Sequence, residues 1–279
     1  MIQTILLPTD FSVTATNAGL YAVELAKQIG AKRIVVYHSY DAASVSEPFK
    51  DYTQKIVTEP FRQKSAAQLN EYVAFLSSKK SYSVEIEAYH SHADLTVAVN
   101  ELVKTTGAEL IVMGITGGGK VKEALIGSHS ISVAKKSDIP VIIVPTEYSF
   151  TTIEDILFVS DLKDVENTTP VDSIKDILNV TKAKLHILHV TDNTEKAENS
   201  EDKHTLEKLF SDYRPDFHFM NNPDFVGAVD FFVKDKKIEI VIVVPKKHGL
   251  LESIFSTSYT KTLAFRGKTP LMAVRNTDK

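Results

Sequence analysis

Residues 112–130, VMGITGGGKVKEALIGSHS, hold five of the chain's 11 glycines, two lysines (Lys120 and Lys122), His129 and the hydroxyls of Ser128 and Ser130. Glycine admits positive φ and lets backbone N–H groups approach a ligand closely. A helix that starts at the end of such a loop presents unpaired N–H groups and the positive end of its dipole, which together favour phosphate. Residues of these types in this order therefore suit an anion cradle. Two familiar phosphate motifs fail on spacing. Gly114 to Lys120 spells GxxxxGK, but Val121 stands where a Ser or Thr would hold magnesium. Gly117 and Gly119 begin a GxGxxG, but Lys122 stands where the third glycine belongs. The spacing that does fit is G-x2-G-x9-G-[ST], carried by Gly114, Gly117, Gly127 and Ser128.

Such a loop needs a strand before it and a helix after it. ELIVMG (109–114) reads as a buried strand that ends at Gly114, and SHSISVAKK opens a helix with Ser128 or Ser130 as N-cap. Upstream, the apolar run Ile2 to Leu7 ends at Pro8 and is followed by a helical pattern from Ser12 to Gly30. RIVVYHS (33–39), YSVEIEAYH (82–90) and PVIIV (140–144) supply further strands, and a long helix covers about residues 51 to 78, where Pro60 should kink or split it. Strands alternating with helices imply a parallel sheet covered on both faces. In such sheets ligands sit beyond the carboxyl ends of the strands.

The pattern then repeats. IEDILFVSDL (153–162) reads against IQTILLPTDF (2–11) and KLHILHV (184–190) against RIVVYHS, both 151 residues on, so that Asp161 falls on Asp10 and His189 on His38. IEIVIVV (238–244) reads against AELIVMG, and TPLMAV (269–274) against IPVIIV, now 130 residues on. The drop in offset predicts that the second copy loses most of the long second helix. The boundary falls in PTEYSFTT (145–152), dividing the chain into 1–147 and 148–279. In the second copy Val244, Lys247 and Thr257 replace Gly114, Gly117 and Gly127, while Ser258 matches Ser128. A Cβ at each of those positions narrows the cradle, so the second copy is expected to have lost the anion site. Lys246, Lys247 and His248 read as a solvated basic turn.

Composition excludes several classes. A net charge of −4 lacks the basic excess that general nucleic-acid binding requires. The absence of cysteine removes disulfides, thiolate metal sites and cysteine catalysis, and suits a reducing compartment. Apolar runs fall short of the roughly 18 residues of a membrane span, so the sequence reads as a cytoplasmic protein with no membrane contact.

The glycine motif, the PTD of ILLPTDFS (5–12), the spacing to the fifth strand and the repeat together resemble a tandem universal stress protein, and the motif resembles the ATP-binding signature of that family's nucleotide-binding branch. The resemblance implies two open parallel five-stranded sheets of Rossmann-like type with helices on both faces. It also implies pairing of the two fifth strands, as a pseudo-two-fold dimer within one chain, with a homodimer of chains as a further option. Carried onto this sequence, it implies that Asp10 and the main chain at Ser39 hold adenine and that Pro8, Thr9, Met113 and Gly114 border the ribose. Gly117, Gly127, Ser128, His129 and Ser130 would surround the phosphates of ATP, ADP or AMP, with or without Mg2+. Lys120 and Lys122 read as solvated loop lysines, with contact to a γ-phosphate as the lesser alternative. His129 stands where the family commonly has a small or branched residue, and a side chain facing the phosphates would make affinity depend on pH near the reference value of about 6.5.

The resemblance implies a stress-response regulator rather than an enzyme, since no general base for water attack is evident. The alternatives are a slow Mg-dependent ATPase and a binding module for another small molecule or a protein partner through the second copy. Other candidates read as structural. His90 and His92 share a strand face but lack an evident third metal ligand. His186 and His189 point to opposite faces of one strand and read as satisfied histidines, and the aromatics of 224–235 follow helical spacing into a core.

Overall fold

The computed structural model describes residues 1–40, 50–115, 128–245 and 269–276, with 50–58 and 128 described by backbone alone. The first half runs β1 (Thr4–Pro8), α1 (Val13–Ile29), β2 (Arg33–Ser39), α2 (Lys50–Lys79), β3 (Glu85–Ser91), α3 (Leu95–Thr106), β4 (Leu110–Gly114), α4 (Ser128–Lys136) and β5 (Val141–Val144). The second runs β6 (Asp155–Val159), α5 (Val165–Thr168), α6 (Val171–Thr181), β7 (Lys184–Val190), α7 (Thr194–Glu198), α8 (Glu201–Leu209), β8 (Asp216–Met220), α9 (Phe225–Lys236), β9 (Ile240–Val243) and β10 (Leu271–Ala273).

Local chemistry sets the element ends. Ser12 caps α1 by accepting from the Ala15 N–H, and Gly30 closes that helix at φ 71°. Asp94 caps α3 by accepting from the N–H groups of Thr96 and Val97. The inner strands are apolar on both faces because helices cover both, and each fully buried Ile or Leu contributes roughly 1.5–3 kcal/mol. Tyr21, Leu25, Leu69 and Leu76 of α1 and α2 pack with Ile5, Leu7, Ile34 and Val36 on one face, where Ile174, Ile177 and Leu206 of α6 and α8 continue the same core. On the other face Val99, Val133, Val229 and Phe232 of α3, α4 and α9 pack with Leu6, Val35, Ile111 and Leu157.

The ten strands among the described residues form a single sheet in the order β3-β2-β1-β4-β5-β10-β9-β6-β7-β8. Pairing is parallel within each set of five strands, while β5 and β10 run antiparallel with Met272 opposite Ile142. The sheets expected from sequence are therefore continuous through their fifth strands, which leaves neither apolar strand as an open edge. Matching contacts recur in the two halves. The Glu109 carboxylate accepts from the N–H groups of Gln3 and Thr4, and that of Glu239 accepts from those of Glu154 and Asp155. The connector is clamped to α1, since the Asn17 amide donates to the carbonyls of Pro145 and Tyr148 and Gln28 exchanges two hydrogen bonds with the Ile153 backbone.

Three expectations need correction. The third strand starts at Glu85 rather than residue 82 and is half-exposed, because it lies at the edge of the sheet. Of the kink or split expected at Pro60, the split does not occur: α2 runs through it as a single helix, and Pro60 is exposed, where water can take the carbonyl that its missing N–H frees. Ser130 lies within the first turn of α4 and not at its cap. The second copy does lose the long helix: the short α7 and α8 stand between β7 and β8.

Candidate functional site

In the order β3-β2-β1-β4-β5 the chain leaves β1 toward β2 on one side and returns to β4 on the other, so the crevice between the carboxyl ends of β1 and β4 is a topological switch point. Pro8 ends β1 buried beside Tyr37. The Thr9 N–H donates to the Tyr37 carbonyl at 2.8 Å, and its hydroxyl accepts from the Phe11 N–H at 3.0 Å. Asp10 is exposed, and its carboxylate accepts from the Ser12 N–H at 3.1 Å. Phe11 takes φ 62°, and its ring lies 4.5 Å from His38 and 5.9 Å from Tyr72. His38 Nδ1 donates to the Thr9 carbonyl at 2.8 Å. The turn thus holds Asp10 out at the sheet edge, with the N–H groups of Thr9, Phe11 and Ser12 and the Thr9 carbonyl all hydrogen-bonded.

On the β4 side, the Met113 side chain is buried, so only its backbone is available at the edge. A Cβ on Gly114 would lie 2.8 Å from both the Thr14 carbonyl oxygen and Thr14 Cγ2, so close packing of α1 on β4 requires glycine there whatever the ligand. The Ser130 hydroxyl donates to the Gly114 carbonyl at 2.9 Å from a buried position, tying the first turn of α4 to the strand end. Ser128 begins α4 and His129 is exposed beside it. Ser39 ends β2 with its hydroxyl bonded to the Ala93 carbonyl, and the next residue, Tyr40, donates its N–H to Ser91. Pro8, Thr9, Asp10, Met113, Gly114, Ser128, His129 and Ser130 thus line one edge of β1 and β4, with Ser39 one strand away. Gly117, Gly127, Lys120 and Lys122 lie outside the described residues, as do Lys246, Lys247, His248, Thr257 and Ser258.

Burial governs the titration of the surrounding groups. The Tyr72 phenol donates to the Ala15 carbonyl at 2.9 Å, and its pKa is pushed up to about 12 by burial, with the Asp10 charge adding to the rise. His90 is held below the ordinary imidazole range by burial and then by the charge of Arg62. It bonds to the Ser65 hydroxyl at 3.0 Å, while Tyr40 packs against the rings of both His90 and His92.

The same plan recurs at β6 and β9, the switch point of the second half. The Ser160 N–H donates to Leu188, the Ser160 hydroxyl accepts from Leu162, and His189 Nδ1 donates to the Ser160 carbonyl at 2.9 Å. Leu162 takes φ 48°, and Asp161 is 6% exposed where Asp10 is open to solvent. A cavity of about 530 Å3 lies there, lined by Asp161, Lys163, His189, Asn193, Lys196 and Asn222 among others. Sequence reasoning gave no role to Phe11 or His38 and read His189 only as a satisfied histidine, which its bond to the Ser160 carbonyl makes it. The repeated histidine two residues after the middle of each second strand was the available signal.

A model of the Universal stress protein family matches residues 1–145, just over half of the 279. Universal stress protein MJ0577 of Methanocaldococcus jannaschii is 28% identical over 162 residues, which covers 53% of this chain and 98% of that protein. The Universal stress protein in QAH/OAS sulfhydrylase 3'region of Thermus aquaticus is 31% identical over 146 residues, covering 52% and 99%. The crystal structure of a universal stress protein from Archaeoglobus fulgidus superposes with a TM-score of 0.75 over 98% of both chains at 19% identity, so the fold is shared along the whole length. The chain belongs to the universal stress protein family.

Proposed function

We propose that residues 1–147 form a domain that binds an adenine nucleotide at the β1/β4 switch point. Residues 148–279 form a second domain that has lost the phosphate cradle and serves as the first domain's built-in partner. The observation that carries this reading is the meeting of the Asp10 turn, the end of β4 and the first turn of α4 at one carboxyl edge. The donor set fits the ligand. A carboxylate suits the amino or hydroxyl groups of a nucleoside, and a helix start suits phosphate oxygens. In the sequence, Gly114, Gly117, Gly127 and Ser128 stand at full signature spacing between them. The role is stress-linked regulation through nucleotide occupancy, with Mg2+ accompanying a triphosphate.

The second domain's switch point carries Val244 in place of Gly114 and a more enclosed Asp161. Its β10 closes the open edge of β5, which is the supporting observation for an internal dimer.

Mass spectrometry of small molecules released on denaturing the purified protein, paired with the thermal shift produced by Mg-ATP, tests the reading. Wild type should release adenine nucleotide and gain thermal stability with added ligand, and Gly117→Val should do neither. A wild-type protein that carries no nucleotide and gains no stability would overturn it.

A further inference from the structure

At the opposite edge of the sheet, near the amino ends of β6, β7 and β8, polar side chains of the second half converge on the face covered by α9. Register places Leu157 opposite His186 and His186 opposite Asp216, so alternation along each strand puts Asp155, His186, Asp216 and His218 on one face. His186 is buried and both its ring nitrogens are engaged: Nε2 lies 2.7 Å from Asp155 Oδ1, and Nδ1 lies 3.1 Å from His218 Nε2. Asp216 Oδ2 is 4.0 Å from His186 Nδ1 and 2.5 Å from Lys184 Nζ. One donor atom from each of His186, Asp216 and His218 lies within 4.8 Å of the others.

We propose that His186 Nδ1, His218 Nε2 and the Asp216 carboxylate form a binding site for one divalent transition-metal ion of the zinc type, with Asp155 orienting His186 from behind. Two imidazole nitrogens on one tetrahedral ion, at bonds of about 2.0–2.1 Å, sit roughly 3.3–3.4 Å apart. The 3.1 Å between His186 Nδ1 and His218 Nε2 is within a small side-chain adjustment of that spacing. Asp155 accepts the hydrogen bond from His186 Nε2–H, which fixes the proton there and leaves a lone pair on Nδ1 aimed at the site, the arrangement that carboxylate-backed metal histidines use. Without metal that lone pair accepts from His218 Nε2–H, and an ion takes the place of this proton once His218 carries its proton on Nδ1 instead. Two nitrogens and one carboxylate select zinc, cobalt, nickel or copper over magnesium or calcium. Asp216 has a side chain 45% exposed, so the fourth position opens toward solvent.

The first half serves as an internal control. The positions matching Asp155, His186, Asp216 and His218 there are Thr4, Val35, Glu87 and Tyr89. The ion pair across the two strands is kept, as Arg33 with Glu87 at 3.7 Å, and the histidines are not. The sheet therefore forms without them. A histidine where the other copy buries valine carries a desolvation cost that a purely structural role does not require. Lys184 is the competing cation: it holds Asp216 when no metal is bound and must release one carboxylate oxygen when one is.

The test is titration of the full chain, stripped with chelator and dialysed, with zinc chloride alone by calorimetry and with cobalt chloride by visible absorption. Wild type should bind one ion per chain and give the d–d bands of four-coordinate Co2+. His218→Ala should weaken binding by more than about 100-fold and Asp155→Asn by roughly 10–100-fold. Lys184→Met should tighten binding, and His204→Ala, at an exposed helix position, should leave it unchanged. Asp216→Asn repeats the ligand test should His218→Ala unfold. No stoichiometric binding by folded wild type, or binding that survives both His218→Ala and Asp216→Asn, would overturn the proposal.

Discussion

The turns after β1 and β6 share their hydrogen bonds, their left-handed residue (Phe11 or Leu162) and their histidine, yet the chain departs from them differently. After Asp10, Ser12 caps a 17-residue helix that lies so close to β4 that position 114 admits no Cβ. After Asp161, Asp164 is left-handed, α5 lasts four residues, and α6 begins beyond Thr169 and Pro170. Val244, at the matching position, is buried in the core. The shared turn is thus part of the fold, and Asp161 alone does not imply a ligand. What separates the halves is how the first helix meets the fourth strand, and Gly114 answers to helix packing as well as to any phosphate.

The largest effect should come from forcing that difference. Gly114→Val, which installs the second half's residue in the first, should cost about 3 kcal/mol or more in urea unfolding, because its Cβ meets Thr14 backbone rather than a movable side-chain end. A loss under about 1 kcal/mol would show that α1 yields as easily as α5 and would erase the contrast.

Next in size is a pH effect tied to Tyr72. Its folded pKa of about 12 exceeds the ordinary phenol value of 10.0, so the unfolded chain gives up this proton first. The stability it supports is intact below about pH 10 and falls as pH rises toward about 12. Unfolding free energies from urea melts across that window should fall by an amount on the order of 2 kcal/mol more in wild type than in Tyr72→Phe. Equal slopes would remove the phenol from the account.

Ser12→Ala should cost about 1 kcal/mol through loss of the α1 cap. The second half offers no equivalent to remove, because neither Asp164 nor Pro170 makes a side-chain cap bond. The smallest effect belongs to Tyr21, buried on α1 against Tyr148 and Phe150 with no partner for its hydroxyl among the described residues. Tyr21→Phe should leave stability unchanged or raise it by up to about 1 kcal/mol in thermal melts, because it removes an unpaired buried oxygen.

Much of this architecture was legible from sequence because local signals and packing agreed. Ser12 and Gly30 bracket α1 as read, and buried apolar runs give the inner strands. The offset between copies told which helix had shrunk. The edge character of β3 was less visible, since alternation in YSVEIEAYH does not say which strand lies last in the sheet. α2 passes Pro60 as one helix because an exposed position can hydrate the carbonyl that proline leaves free. At the site, residue types located Asp10, Gly114 and Ser130, but Ser130 bonding to Gly114 and the Thr14 contact are tertiary facts that no local pattern encodes. The His186 and His218 contact was hidden for the same reason: 32 residues of sequence separate two side chains that register brings to 3.1 Å.

The contrast between the halves is tested most directly by the stoichiometry of ATP binding, measured by calorimetry on the full chain and on Asp10→Asn, Gly117→Val and Asp161→Asn. One ATP per chain is expected, weakened by Asp10→Asn, abolished by Gly117→Val and unchanged by Asp161→Asn. Two ATP per chain, or a single one lost with Asp161→Asn and retained with Gly117→Val, would contradict the assignment of the nucleotide site to the first half.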